Sequence, residues 1–425
     1  MADKNFVRDE RKSSLPLLAG VSGNLMEWYD FGLYGVLAPT LGRLFFPNAD
    51  GFLGLLSVYG VFAAGYIARV AGGTVFGHVG DLVGRRSALL LSALVMAVAT
   101  FLVGCLPTYA SVGLAAPVLL TLFRLFQGLS AGGEFAASLT YTIEHAPRKR
   151  RALHGSFAAM SATAGILLGS GTGSLLFSIF SEEQILQWAW RGPFLLSLPM
   201  GILIVLLRRV LPADVPPETD HPKSLPIVRV FRNHPGLIVR GALLGWGPSA
   251  AFYLTAVFIS SFLTDGHLLD QRNALITQTL AISVIFLCMP IAGFLADQVG
   301  RRKLVLVSLA ATALFGLPLF LLLERGSEAV DLLAIGTFAV LLGVGFSPFQ
   351  VWLAEQFPTD LRASGFGISY NVAAGVFGGT APLLATALVQ FTGSLLAPAA
   401  LVIGTSLISL AAAFSLQETG DRPLR

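Results

Sequence analysis

Charge is scarce in this chain: of 425 residues only 12% are Asp, Glu, Lys or Arg, against 54% hydrophobic, and the mean hydropathy is +0.74. A soluble domain carries about twice that share of charge, so a fold with a water-facing shell is excluded. Cysteine is nearly absent. Cys105 and Cys288 stand alone in apolar runs, which excludes a disulfide scaffold and a cysteine metal centre. The six histidines fall at no metal-ligand spacing, so no metal site is expected. There is no GxxxxGK[ST] run, hence no nucleotide to drive work, and no nucleophile and base constellation, so the chain is not expected to be an enzyme, to hold catalytic residues or to need a cofactor. The net charge of +4 gives no reason to expect nucleic acid.

What the chain has is apolar length. Runs of about 20 residues, enough to cross roughly 30 Å of hydrocarbon as helix, recur from end to end. They predict twelve crossings, near 15–46, 52–78, 87–106, 112–145, 152–180, 188–211, 236–264, 273–296, 303–324, 330–356, 362–391 and 394–416. Alternation of the β-barrel kind is not seen. With the N-terminus inside, the inner segments hold 22 of the 28 basic residues, and the outer loops hold only Arg43, Arg191, Arg272 and Arg325. That bias places both termini in the cytoplasm. The basic tail runs into a first span too long for a cleaved signal, so this helix is expected to remain.

Two inner loops read alike, "GHVGDLVGRR" at 77–86 and "GFLADQVGRR" at 293–302, and Glu144, Pro147 and Arg151 are echoed by Glu355, Pro358 and Arg362. The chain is therefore a duplicated six-helix unit. Its expected divisions are a cytoplasmic tail (1–14), a first bundle (15–211), a proline-rich central loop (212–235), a second bundle (236–416) and a closing tail (417–425). The fold class that follows is an all-α membrane protein of twelve transmembrane helices in two six-helix bundles. Asp81, Arg85, Arg86, Glu144, Arg151, Asp297, Arg301, Arg302, Glu355 and Arg362 are expected to latch the two bundles at the cytoplasmic face, since paired arginines can bridge acids at facing helix ends.

The paired GxxxDxxGRR loops with "RLFQG" at 124–128 resemble the major facilitator superfamily. "GNLMEWYDFGLYG" at 23–35, "QGLSAGGE" at 127–134 and "YNVAAGVFGGTAPL" at 370–383 are similar to its metabolite:H+ symporter family, over almost the whole chain. The resemblance implies proton-driven uptake of dicarboxylates, citrate, shikimate, or proline and betaines, and it implicates Glu27, Asp30 and Arg124 in coupling. Two departures stand out. Ala136 and Ala137 replace glycines frequent in the family, which questions close helix packing there, and the coiled-coil tail of its osmosensing members is missing.

Charge inside the apolar spans is the chemical signal. Asn24, Glu27, Asp30 and Tyr34 share one face of the first helix, and Arg124, Gln127 and Glu134 share one face of the fourth; Tyr66 and Arg69 lie on the second. The second unit shows no formal charge within its spans on this reading. Central ionised groups cost about 2.5–3.5 kcal/mol each unless paired or hydrated. Expected pairs are Asp30 with Arg124, and Arg69 with Glu27 or Glu134. Three acids against two permanent cations leave an excess carboxylate, the kind of group that exchanges a proton when water reaches it. One charge moved down 100 mV supplies about 2.3 kcal/mol, roughly 40-fold accumulation.

Substrate contacts are expected from Arg124, Gln127, Asn24 and Tyr34 in the first bundle and from Trp246, Tyr253, Gln350, Trp352, Tyr370 and Asn371 in the second. An arginine suits an anionic group and the aromatics suit either packing or a quaternary ammonium. The reading that results is a monomeric, proton-coupled importer of the inner membrane that moves a small organic acid by alternating access. Its partners are then the small-molecule substrate, protons and the lipid bilayer. A zwitterion such as proline or betaine, a polycarboxylate siderophore, and a transport-inactive nutrient sensor are the alternatives.

Overall fold

The computed structural model describes residues 14–47, 51–83, 85–144, 146–208, 226–265, 268–323, 328–359, 361–420, 422 and 424. Nearly all of them are helical, as apolar backbone must be where no water can take its hydrogen bonds. We number the long helical stretches α1 to α12. In the first bundle these are α1 Ser14–Phe45, α2 Gly51–Val83, α3 Arg85–Cys105, α4 in two pieces (Ala115–Ala131 and Glu134–Glu144), α5 Arg151–Ile179 and α6, a broken stretch from Glu182–Gln184 to Ser197–Arg208. In the second they are α7 Pro235–Tyr253, continued by Leu254–Phe258 and Ile259–Asp265, α8 Gln271–Val299, α9 Arg301–Leu323, α10 Glu328–Glu355, α11 from Arg362–Tyr370 through Asn371–Gly378 to Ala381–Thr392, and α12 Ala397–Phe414. Ten of these are long and apolar enough to cross a membrane over their described residues, and Leu90–Cys105 adds a shorter apolar helix. Much of the proline-rich loop expected at 212–235 lies outside the described residues.

Glycine sets the helix spacing in the first bundle. A methyl group added at Gly165 or Gly169 of α5 would strike the Leu25 or Tyr29 carbonyl of α1, and one added at Gly128 of α4 would strike the Gly65 carbonyl of α2. These backbones touch directly, with small residues in the role they play wherever lipid supplies no hydrophobic drive. Of the alanines questioned above, Ala136 is buried where a methyl group added at Gly367 of α11 would just reach it, and Ala137 is exposed.

In the second bundle proline is accommodated by a serine. Pro248 sits inside α7, and just before it the Gly247 N–H donates to Ser409 Oγ of α12 at 2.8 Å, while that hydroxyl donates to the Leu243 carbonyl at 2.7 Å. Ser409 is thus spliced into the α7 ladder and re-satisfies it. The two bundles meet along α1, α2, α4 and α5 on one side and α7, α8, α10 and α11 on the other.

Candidate functional site

The fourth helix breaks at Gly132 and Gly133, directly before Glu134. Around this break, at the level of the first-helix acids, the predicted intramembrane charges converge, and all five are buried. Arg124 pairs with Asp30, and Gln127 completes the set by donating to Asp30 at 2.9 Å and to Thr100 at 2.8 Å while accepting from Arg124 at 2.8 Å. Every member of that cluster belongs to the first bundle. Tyr34 lies beneath the Arg124 guanidinium, its ring centroid 3.7 Å away, and donates to the Val58 carbonyl. Asn24 donates to Ser161 of α5 at 3.3 Å. Asn24 and Tyr34 therefore serve the inside of the first bundle.

The second pair, Arg69 with Glu27, is placed differently because it faces the other bundle. Arg69 Nε donates to Asn371 Oδ1 of α11 at 2.9 Å, and Asn371 Nδ2 donates to the Gly132 carbonyl at 2.5 Å. Asn371 opens a π-helical stretch, Asn371–Gly378, and Tyr253 precedes another, Leu254–Phe258. Wide turns of this kind recur at functional sites, where they re-aim a side chain.

Aromatic rings close the space around Arg69. Trp28 and Tyr253 stack across the bundle interface with centroids 6.1 Å apart, Tyr66 meets Tyr253 edge-on at 4.9 Å, Tyr370 stacks on Phe135 at 4.8 Å, and Arg69 lies 5.5 Å from the Trp28 ring. Trp28 Nε1 and Arg69 Nη2 are buried here without a hydrogen bond, and Gln350 Oε1 of α10 is likewise buried and unbonded. The hydroxyls of Tyr66 and Tyr253 are also buried without a hydrogen bond. Such atoms are costly to leave unsatisfied.

Other expected residues lie elsewhere. Trp352 donates through Nε1 to the Gln417 carbonyl at 2.7 Å, against the C-terminal segment, and Trp246 is half-buried and stacks on Phe377 at 4.3 Å within the second bundle. Although Trp246 and Tyr253 are seven residues apart, only Tyr253 reaches the interface rings. The second bundle also contains a buried acid: Asp331, in the first turn of α10, has both carboxylate oxygens buried and unbonded, which corrects the expectation of no formal charge in those spans. An acid one turn from a helix end reads as a loop residue in a hydropathy profile.

The repeated loops do bring the bundles together at the basic end. Arg362 of α11 pairs with Glu144 of α4 at 2.6 Å, Arg151 of α5 pairs with Glu355 of α10 at 2.9 Å, and Arg301 holds Asp297 at 2.8 Å. Asp297 also accepts from the Ala152 and Leu153 N–H groups at 3.0 and 2.9 Å, so a carboxylate of one bundle caps a helix of the other. Arg302 instead donates its backbone N–H to Glu418 at 2.9 Å. The side chains of Asp81, Arg85 and Arg86 lie outside the described residues. Sequence reading missed the C-terminal participants: Thr419 donates to Glu355 at 2.5 Å, and Arg151 donates to the Arg422 carbonyl at 2.5 Å. A polar tail after a last helix carries no periodic signal that would have revealed them. Towards the opposite end, Tyr59 of α2 donates to Ser261 of α7 at 3.0 Å. The bundles thus touch on both sides of the charged centre.

Comparison with known proteins supports this architecture. The family model described as Major Facilitator Superfamily matches residues 21–382. A proline/betaine transporter of Salmonella typhimurium is 31% identical, over 98% of this chain and 86% of its own length. An ectoine/proline transporter of Corynebacterium glutamicum is 34% identical over 97% and 86%, and the alpha-ketoglutarate permease of Escherichia coli is 33% identical over 89% and 88%. Among solved structures, a partially occluded inward-open form of the E. coli xylose transporter XylE superposes with a TM-score of 0.76 at 16% identity, covering 96% of this chain and 98% of that one. These relatives and neighbours are transporters, not enzymes. With twelve long helical stretches, ten of them apolar enough to cross a membrane over their described residues, an ion-paired centre shared by two bundles and a family model spanning most of its length, this chain belongs to the major facilitator superfamily and is a multi-pass membrane transporter.

Proposed function

We propose that the protein is a proton-coupled importer of a small zwitterionic solute of the proline or betaine class. The observation that carries this reading is the charge inventory of the site together with its rings. The first-bundle spans hold Glu27, Asp30 and Glu134 against Arg69 and Arg124, one negative charge in excess when all are ionised. One proton makes that set neutral, and a zwitterion entering with it leaves it neutral. A dicarboxylate would add two further negative charges to a buried site, a cost of several kcal/mol that additional protons would have to cancel. The rings of Trp28, Tyr66 and Tyr253 suit a quaternary ammonium, and Arg69 Nη2 and Trp28 Nε1 are donors for the carboxylate at its other end. This favours the zwitterion over the organic acid that the arginine suggested by itself.

Asp30 is the leading proton carrier, read by Arg124, with Glu27 beside it. The basic residues that closed the sequence argument for topology support an inner-membrane protein with both termini cytoplasmic. The ion pairs at the basic end then form the cytoplasmic gate. The test is uptake by purified protein in liposomes with an imposed acid-outside gradient. Labelled glycine betaine or proline is expected to accumulate and to carry protons inward. Accumulation of α-ketoglutarate with neither zwitterion moved would overturn the reading.

A further inference from the structure

Two of the three rings assigned to the ammonium group stand on glycines of α11. That helix is wound wide over Asn371–Gly378 and packs against α7 of its own bundle and α2 of the other. A methyl group added at Gly378 would lie 2.6 and 2.8 Å from Cδ2 and Cε2 of Tyr253, and 2.9 Å from Cβ of Ser249. One added at Gly379 would lie 2.5 Å from Cβ and Cγ of Tyr66. Carbons in contact rest about 3.5–4.0 Å apart, so each ring occupies room that only a glycine leaves. Both tyrosines are fully buried. The ring neighbours of Tyr253 across the interface are Trp28, Phe62 and Tyr66, all of the first bundle. Displacing Tyr253 from α11 therefore narrows the space among these rings.

We propose that Gly378 is a positioning residue for the Tyr253 ring and that it sets the size of ammonium head the carrier accepts. This rests on the transport reading above, in which Trp28, Tyr66 and Tyr253 enclose the ammonium. With no side chain at position 378 the ring stands as far towards α11 as the backbone allows. The enclosure is then at its widest, which suits a trimethylated head. A methyl group at 378 would have to move the ring, because the Ser249 Cβ is fixed to the α7 backbone and cannot turn aside. The narrowed enclosure still admits a secondary ammonium, as in proline, and refuses one that carries three methyl groups. Arg69 Nη2 and Trp28 Nε1, the donors for the carboxylate, belong to the first bundle and keep their places. The substitution therefore acts on the ammonium end of the solute alone.

The test is the ratio of the KM for glycine betaine to the KM for proline, measured for Gly378→Ala in liposomes. The ratio is expected to rise about tenfold, the lower end of what one misfitting methyl group costs in a closed pocket. An unchanged ratio, or an equal rise in both KM values, overturns the proposal. Gly245→Ala is the packing control. Its methyl group would lie 2.7 Å from Cβ of Ala373 in the same seam between α7 and α11, and it meets none of the three rings. It should leave the ratio unmoved, and a shift as large as that of Gly378→Ala overturns the proposal. Should Gly378→Ala fail to fold, Tyr253→Leu decides. The shorter side chain draws the wall back, so the KM for a triethylated betaine relative to glycine betaine should fall about tenfold; no fall overturns the proposal. Absence of zwitterion uptake by the unaltered protein removes the transport reading and this assignment with it, whereas uptake with an unmoved ratio removes the assignment alone.

Discussion

Arg151→Ala should shift this transporter towards the state open at its basic end. Arg151 is 2% exposed and makes two contacts that leave its own helix for the partner bundle and the C-terminal segment: the Glu355 carboxylate at 2.9 Å and the Arg422 carbonyl at 2.5 Å. Removing one partner of a buried ion pair costs about 3–5 kcal/mol when the remaining charge is stranded. Glu355 is not fully stranded, since Thr419 donates to it at 2.5 Å and Arg301 Nε lies 3.4 Å away. A penalty nearer 2 kcal/mol is therefore the working estimate, about 30-fold in the ratio of closed to open. The penalty falls on the closed state alone, because opening returns Glu355 to water. The assay is the alkylation rate of a single cysteine placed at Ala159 on the buried face of α5, or the distance between spin labels on α5 and α10. The variant Glu355→Gln in the same background should add little, since the pair is already broken. An accessible fraction unchanged by Arg151→Ala, or full additivity of the two substitutions, would refute the latch.

Further outcomes follow from the same geometry. Asp30→Asn should abolish accumulation driven by a pH gradient while downhill solute exchange persists, which paired flux measurements in liposomes will separate. Trp28→Ala should raise the KM for a quaternary ammonium solute by about tenfold, since a desolvated cation and ring contact is worth on the order of 1–2 kcal/mol; an unchanged KM removes Trp28 from the cage. Gly128→Val should lower the melting temperature markedly in a thermal-shift assay or prevent folding, because its side chain would overlap the Gly65 carbonyl and overpacking of this kind costs about 1–3 kcal/mol or more.

The sequence by itself determined the apolar spans, the repeat and the identity of the charges inside the first bundle. Each of these depends on local composition: apolar runs have one stable form in lipid, and a charged residue within them must find a partner. Periodicity placed Glu27 and Asp30 on one face of α1, and both acids do meet an arginine. What chain order could not contain was the division of labour between the two pairs. Asn371 lies 302 residues from Arg69, and only packing of α11 against α2 shows that one pair is shared between bundles while the other is enclosed in one. The same holds for Trp352, which looked like a substrate residue and bonds the tail, and for Asp331, whose position near a helix end hid its burial. Side-chain partners across a bundle interface are fixed by the rigid-body seating of preformed helices, a property of tertiary contact that hydropathy and spacing along the chain do not encode.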